Sequence, residues 1–347
     1  MSPIDPPHLI GGTCGDGIPD ERMLTWPADT DAICSRVAGA QADVKFVLKT
    51  RDEADRLDRW IRHHLPIAGP TGLVVFDNGS TDPEVMAVRA RYEDRVQFHG
   101  WSLQHDAIHD AHGQRLLYAA LRESCRHYAF IDTDERAFWT DGARLIGGTE
   151  FVAQLADNDG RLVHPGLWLA NRPGSLDIYF VTESRLRRTQ SWGKPLLGRA
   201  IDVRGFVNHN WQFVRDNPGH ELWSGFVVCH DRFDDPTRRL RSNIQKCLAY
   251  GFVTSAEELD RIIAVGDFEN LKPAFQNYLR EIIRCRTESW TPSADPGPDQ
   301  VAVCGGGMLE FGSPEAEFQF RQFAGRRRIA EADLREDETE PTARPGP

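Results

Sequence analysis

Between residues 44 and 132, short apolar runs alternate with stretches of helical periodicity, and this alternation restricts the fold more than any other feature. "VKFVLK" (44–49) and "GLVVFD" (72–77) are rich in β-branched and aromatic residues and read as strands, as do "RVQFHGW" (95–101) and "YAFID" (128–132). Between them, "DEADRLDRWIRHHL" spaces Leu57, Trp60, Ile61 and His64 along one helical face, and "GQRLLYAALRESCRH" does the same with Leu116, Leu117, Ala120 and Leu121. "DPEVMAVRARYE" opens on Asp82 before Pro83, an N-cap followed by proline at the first helical position. Strands and helices in this succession join through right-handed crossovers, so the expected fold class is α/β, a mostly parallel, doubly wound sheet flanked by helices.

The flanks read differently. Residues 1–42 carry Pro, Gly and Asp without periodicity and are expected to form an N-terminal arm around an α/β domain spanning 43–235. Residues 236–325 read as a helical C-terminal region. Asp235-Pro236 caps its first helix, and Gly251 can end that helix. Thr254 with Glu257 forms a capping box, and Phe275, Tyr278, Leu279 and Ile282 have helical spacing. The charged, proline-containing segment 326–347 is expected to be disordered.

The chain has 347 residues and a formal net charge of −11, which argues against a general nucleic-acid binder, since such a protein carries a basic stripe. No apolar run approaches the length of a membrane span, and "MSPIDPPHLIGG" lacks a basic segment followed by an apolar one. The seven cysteines are scattered and form no CxxC pair, so a reducing, cytoplasmic setting is expected.

Two apolar runs end in acid. Phe76 leads into Asp77, and Ile131 leads into "DTDE", with three carboxylates in four residues. In open α/β sheets ligands bind beyond the carboxyl ends of the strands. Asp132 and Asp134 are two apart, so extended backbone points both to one face, suited to a hard divalent cation such as magnesium or manganese. The plainer reading is a solvated acidic turn beside Arg136. "DNGSTD" also has a plain reading, as a tight Asn78-Gly79 turn with a helix cap.

The succession "LKTRDEADRLDRWIRHH", "VVFDNGSTD", a helix from about Gln114, and "YAFIDTDERAF" resembles the nucleotide-sugar glycosyltransferases of GT-A fold, within them the family-2-like group that includes family 92. The resemblance is good over 44–140 and looser to about 250, where Lys194, His209 and His230 match the pattern. Asp231 stands where a Tyr is usual, and Arg136 where a Phe is usual. The resemblance implies a metal-dependent enzyme that moves a sugar from a nucleoside diphosphate to a hydroxyl of a glycan or other acceptor. By it, Thr50, Arg51, Asp52, Glu53, Asn78 and Gln114 line the substrate site, and Asp77 reaches the base or ribose. Asp132 and Asp134, with His230, hold Mn2+ or Mg2+. Imidazole beside carboxylates suits manganese better than magnesium. Lys194 and Arg199 belong to "RLRRTQSWGKPLLGR", the main basic cluster, and are expected to assist on the phosphates.

An inverting reaction needs a carboxylate to accept the acceptor's proton. Asp177, Glu183, Asp202 and Asp231 lie downstream as candidates, with Asp231 favoured for its place beside His230. A competing constellation is His105, His109 and His112, at spacings that share a face if helical and could bind zinc; H-E-x-x-H is absent, and the plainer reading is a polar loop at the cleft. Rival functions are a nucleotidyltransferase, which usually carries a Gly-rich phosphate loop not seen after "VKFVLK", and a non-catalytic glycan-binding protein.

Overall fold

The computed structural model describes residues 23–156, 160–181, 186, 193–290, 295–325 and 328–330. Its main sheet has seven strands, and six of them run in one direction. In spatial order these are β1 (Thr25–Trp26), β4 (Gln97–Trp101), β3 (Leu73–Asp77), β2 (Ala42–Thr50) and β5 (Cys125–Phe130), followed by β11 (Pro195–Gly198) and β8 (Val163–Pro165). Strand β11 runs antiparallel to both of its neighbours.

Strand β2 is buried from Val44 to Thr50, as expected where helices cover both faces of a parallel sheet. Alternate residues feed two cores. Val47, Val74 and Phe76 pack on one side with helices α1 (Thr30–Gly39) and α4 (Arg115–Ser124), while Phe46, Leu48 and Val75 pack on the other with α2 (Ala54–Ala68) and α3 (Pro83–Tyr92). Asp82 caps α3 by accepting from Glu84 N, with Pro83 in the first turn, as its sequence signals.

A second sheet pairs β7 (Leu145–Ile146), β6 (Glu135–Thr140), β12 (Phe226–His230) and β9 (Leu167–Ala170). Its register sets His230 opposite Glu135. The acidic stretch is therefore the hinge between two sheets, where β5 ends and β6 begins.

Several boundaries depart from expectation. The segment expected to be an arm supplies β1 and α1, held by parallel pairing of Thr25 with Gly100 and by the buried Ile33 and Val37. Helix α4 stops at Ser124, and Cys125–His127 belong to the strand. Leu116 is 41% exposed, so the buried face is Leu117, Tyr118, Ala120 and Leu121. The C-terminal region contains the expected helices α7 (Pro236–Ala249), α8 (Ala256–Val265) and α9 (Pro273–Thr287), after α5 (Gly148–Leu155) and the short α6 (Asn210–Asp216). It also contains β13 (Gln300–Val303), which pairs with both β10 (Ile178–Phe180) and β14 (Leu309–Phe311) in a third sheet before α10 (Pro314–Ala324). The cap of α8 lies one residue later than expected: Ser255 accepts from Glu258 N, and the Glu258 carboxylate accepts from Thr254 N. Of the segment 326–347, Arg328 bridges to Trp223 and Ile329 is buried, while the expectation of disorder lies otherwise outside the described residues.

Candidate active site

The chain leaves β2 toward β3 and β4 on one side, while β5 lies on the other. The crevice between the carboxyl ends of β2 and β5 is thus a topological switch point, where open α/β sheets bind ligands. Thr50 ends one strand, and Ile131 N bonds Val47 O just before Asp132. The two loops are tied across the crevice, because Thr133 Oγ1 donates to Glu53 Oε2 at 2.6 Å. Burial raises the Glu53 carboxyl, opposed by Arg56 and by this hydroxyl.

Backbone geometry shapes the β2–β3 side. Asp52 has φ +52°, the only positive φ outside glycine among the described residues, in a region that Asp tolerates better than most. Its amide donates to Ser80 Oγ, and its carboxylate accepts from the amides of Thr81 and Asp82, at 2.7 and 3.0 Å. Asp77 is buried, accepts from Ser80 N at 2.8 Å and lies 3.7 Å from Arg89. Asn78 N donates to Thr50 O. Thr50 Oγ1 is buried without a partner. Arg51 is exposed beside Asp52.

The acidic patch is answered by protein cations. Lys194 Nζ lies 2.8 Å from Asp132 Oδ2 and 3.9 Å from Glu135 Oε2, and also donates to Asn208 Oδ1. The Lys194 side chain is 1% exposed, whereas that of Asp132 is 47% exposed and opens toward solvent. Burial works against ionising Asp132, but Lys194 and then His109 outweigh it and hold the carboxyl well below its ordinary range. Asp134 is held low in the same way by His230, at 3.3 Å, and by Arg56, at 3.6 Å. Arg56 in turn is gripped by Asp234 at 2.8 Å. Glu135 accepts from Trp168 Nε1 and Asp132 N, and burial raises its carboxyl. His230 stacks on Trp168 with ring centroids 4.3 Å apart; burial lowers its imidazole to about 4 against the pull of Asp134, so it is neutral near pH 7. Its Nδ1 is buried without a partner.

Among the described residues, no group of three or more His, Cys, Asp or Glu is placed to hold a metal together. Asp134 Oδ2 and His230 Nε2 are neighbours at 3.3 Å, while Asp132 is turned to Lys194.

Other expected residues fall elsewhere. Asp231 follows His230 on the chain and is buried, accepting from Arg136 Nε at 2.9 Å and from Tyr179 OH at 2.8 Å. The Asp231 carboxylate is thereby turned to Arg136 and Tyr179, closed off from solvent. Arg199 is exposed, with its amide bonded to Arg126 O near the amino end of β5, the far end of the sheet from Asp132. Asp202 pairs with Arg122 at that same end, and Asp177 is exposed after the turn at Ser175. Gln114 accepts from Trp26 Nε1 at 2.8 Å, which fixes β1 to the start of α4. Glu183 lies outside the described residues.

His109 and His112 do not share a face. Residues 105–109 are a 3-10 turn followed by a looser turn, which leaves His109 buried against Phe130 and His112 exposed. The sequence reading did not pick out Arg56, Asp234, Lys49 or Trp168. Arg56 sat in the legible helix α2 but one residue off its apolar face, and Lys49 sat inside a strand run. Lys49 is buried, and that burial brings its ammonium down to about 8 against the pull of Asp132.

No family model and no curated protein matches the chain. Solved structures do match in part. S. aureus TarS 1-349 is 10% identical over 70% of this chain and 71% of that one, with a TM-score of 0.32. The mannosyltransferase PcManGT from Pyrobaculum calidifontis, in complex with GDP-Man and Mn2+, is 12% identical over 75% of this chain and 84% of that one, with a TM-score of 0.34. GalNAc-T7 with UDP, GalNAc and Mn2+ is 12% identical over 90% of this chain and 81% of that one, with a TM-score of 0.34.

Proposed function

We propose that this chain is a glycosyltransferase of GT-A type that moves a sugar from a nucleoside-diphosphate donor to a hydroxyl acceptor. The observation that carries this reading is the convergence of "DNGSTD", "DTDE", Lys194 and His230 on one switch-point crevice. The order and spacing of these motifs resemble such enzymes; Lys194 lies on Asp132 and His230 on Asp134, Thr133 bonds Glu53, and the 77–82 stretch is bonded to Thr50 and Asp52 in the neighbouring loop. A nucleoside seats against the loop that Asp52 and Asp77 pin, beside the unpartnered Thr50 hydroxyl. Lys194 supplies positive charge toward the diphosphate from a buried position, with Asn208 fixing its ammonium.

Asp134 and His230 would hold a divalent ion, with Asp132 joining when it releases Lys194. Mn2+ suits this mixed donor set better than Mg2+. When bound, the ion would offset charge that develops on the departing diphosphate. Arg56 and Asp234 orient Asp134, and Trp168 orients His230. Among the described residues no helix is long and apolar enough to cross a membrane.

A thermal-shift screen of UDP, GDP, CDP and ADP with and without MnCl2 tests this reading, since a ligand of the folded state raises Tm by mass action. At least one diphosphate should stabilise the chain, and more strongly with manganese. If none did at millimolar concentration, the proposal would fail.

A further inference from the structure

Helix α2 touches the acidic hinge twice. Near its start, Arg56 lies 3.6 Å from Asp134. Two turns later, His63 and His64 both close on the backbone of Ala137 in β6, a little beyond Asp134 in the chain. Ala137 O lies 2.8 Å from His63 Nε2, and Ala137 N donates to His64 Nε2 at 3.2 Å. These partners fix the protons, since a carbonyl accepts and an amide donates. His63 therefore carries its hydrogen on Nε2, while His64 carries its own on Nδ1 and donates it to Trp60 O at 2.9 Å. Packing locks both rings. His64 is fully buried, with ring centroids 4.7 Å from Phe46 and 4.4 Å from Trp60, and His63 lies 4.6 Å from Phe138.

Sheet register explains why side chains meet the backbone here. Asp231 N donates to Asp134 O at 2.6 Å, and Thr140 N donates to Gly225 O at 2.8 Å, so alternate residues from 134 to 140 turn their polar groups toward β12. Ala137 lies out of phase with them and turns its N–H and C=O to the opposite edge. Strand β7 covers that edge only at Trp139 and Thr140. Ala137 is fully buried, so both groups need partners, and the two imidazoles take the place of a strand.

We propose that His63 and His64 are positioning residues, a two-imidazole clamp that sets Asp134 against His230 for manganese and diphosphate. One helix holds Asp134 through Arg56 and β6 through Ala137, while β12 brings His230 opposite Glu135 on the other edge. The 3.3 Å approach of Asp134 to His230 is thereby fixed from both edges of β6. Groups that orient metal donors in this way govern affinity for the ion without touching it. The proposal rests on the transferase reading for the ion and the diphosphate, but not for the clamp itself. A clamp that supports the fold alone is the rival.

The test uses the full chain with His64→Leu and His64→Gln. Leucine removes the acceptor for Ala137 N, whereas the side-chain carbonyl of glutamine falls near the place of Nε2 and restores it. Hydrogen exchange at the Ala137 amide would be measured beside calorimetry of UDP and GDP, each with and without MnCl2. His64→Leu should speed that exchange and weaken manganese-supported nucleotide binding by about tenfold, with metal-free binding unchanged. His64→Gln should restore both. Native exchange in His64→Leu would overturn the clamp. Faster exchange with native manganese-supported affinity would overturn the positioning role, as would equal losses with and without manganese. Should His64→Leu not fold, His63→Leu removes the donor to Ala137 O from a less buried position and carries the same comparison. A native chain that binds neither nucleotide under any of these conditions would end the transferase reading and the positioning role with it, while exchange at Ala137 would still decide the clamp.

Discussion

Lys194 Nζ stands 2.8 Å from Asp132 Oδ2, although 62 residues separate them in the chain. The buried lysine is the cation nearest the first carboxylate of "DTDE". Replacing Lys194 with Met leaves Asp132 and the buried Glu135 without their counter-charge. Removing one partner of a buried pair costs roughly 3–5 kcal/mol; the half-exposed Asp132 brings this to about 2–4 kcal/mol. Urea unfolding should show that loss, and an unchanged midpoint would mean that the pair is only a surface contact.

Asp134→Asn keeps the shape of the side chain and removes its charge. Manganese-supported binding of a nucleoside diphosphate should weaken by about tenfold or more, while Tm changes little. Calorimetry with UDP or GDP and MnCl2 gives the answer, and equal affinity in both proteins would remove Asp134 from the site.

His230→Ala should damage manganese-supported nucleotide binding more than folding. The ring lies against Trp168 and 3.3 Å from Asp134, so its loss deletes a donor and frees Trp168. A comparison of the Mn2+ and Mg2+ responses is the sensitive readout, because imidazole favours manganese. Parallel losses with both ions and with no ion would reduce His230 to a packing residue.

Asp231→Asn separates anchor from base. The carboxylate holds Arg136 and Tyr179 in a closed pair, so the variant should lose about 2–4 kcal/mol of stability. At a temperature where it remains folded, sugar transfer should persist within an order of magnitude. A fall of about a thousandfold in kcat with native stability would mark Asp231 as the base.

Stability should decline in mild acid. His64 and His99 have no exposed surface, and burial holds both neutral, His99 down to about 4 and His64 well below the usual value. The unfolded chain gains these protons near pH 6.5, whereas the folded chain resists them. Stability is therefore full above about pH 6.5 and falls as pH drops toward 4, by up to about 1.4 kcal/mol per pH unit for each histidine. Neither ring nitrogen of His99 has a partner, so His99→Phe, beside Phe76, should flatten the slope of Tm against pH. An unaltered slope would locate the acid sensitivity elsewhere.

The sequence by itself determined the α/β succession from residue 44 to 132 and the two acidic strand ends, because those features rest on local periodicity and on apolar runs that must be buried. It also marked the cap at Asp82. Tertiary structure decided what the charges meet. Asp231 and His230 are neighbours in the chain, but only β12 pairing sends one to Arg136 and the other to Asp134. Arg199 is five residues from Lys194, yet β11 runs antiparallel to β5 and carries it to the opposite end of the sheet. The edge strand Thr25–Trp26 and the pair Ile178–Phe180 with Gln300–Val303 are too short to show a period, and they exist only because distant partners complete their hydrogen bonds. Charge pairing and sheet register are long-range properties, so no local pattern in the chain could have stated them.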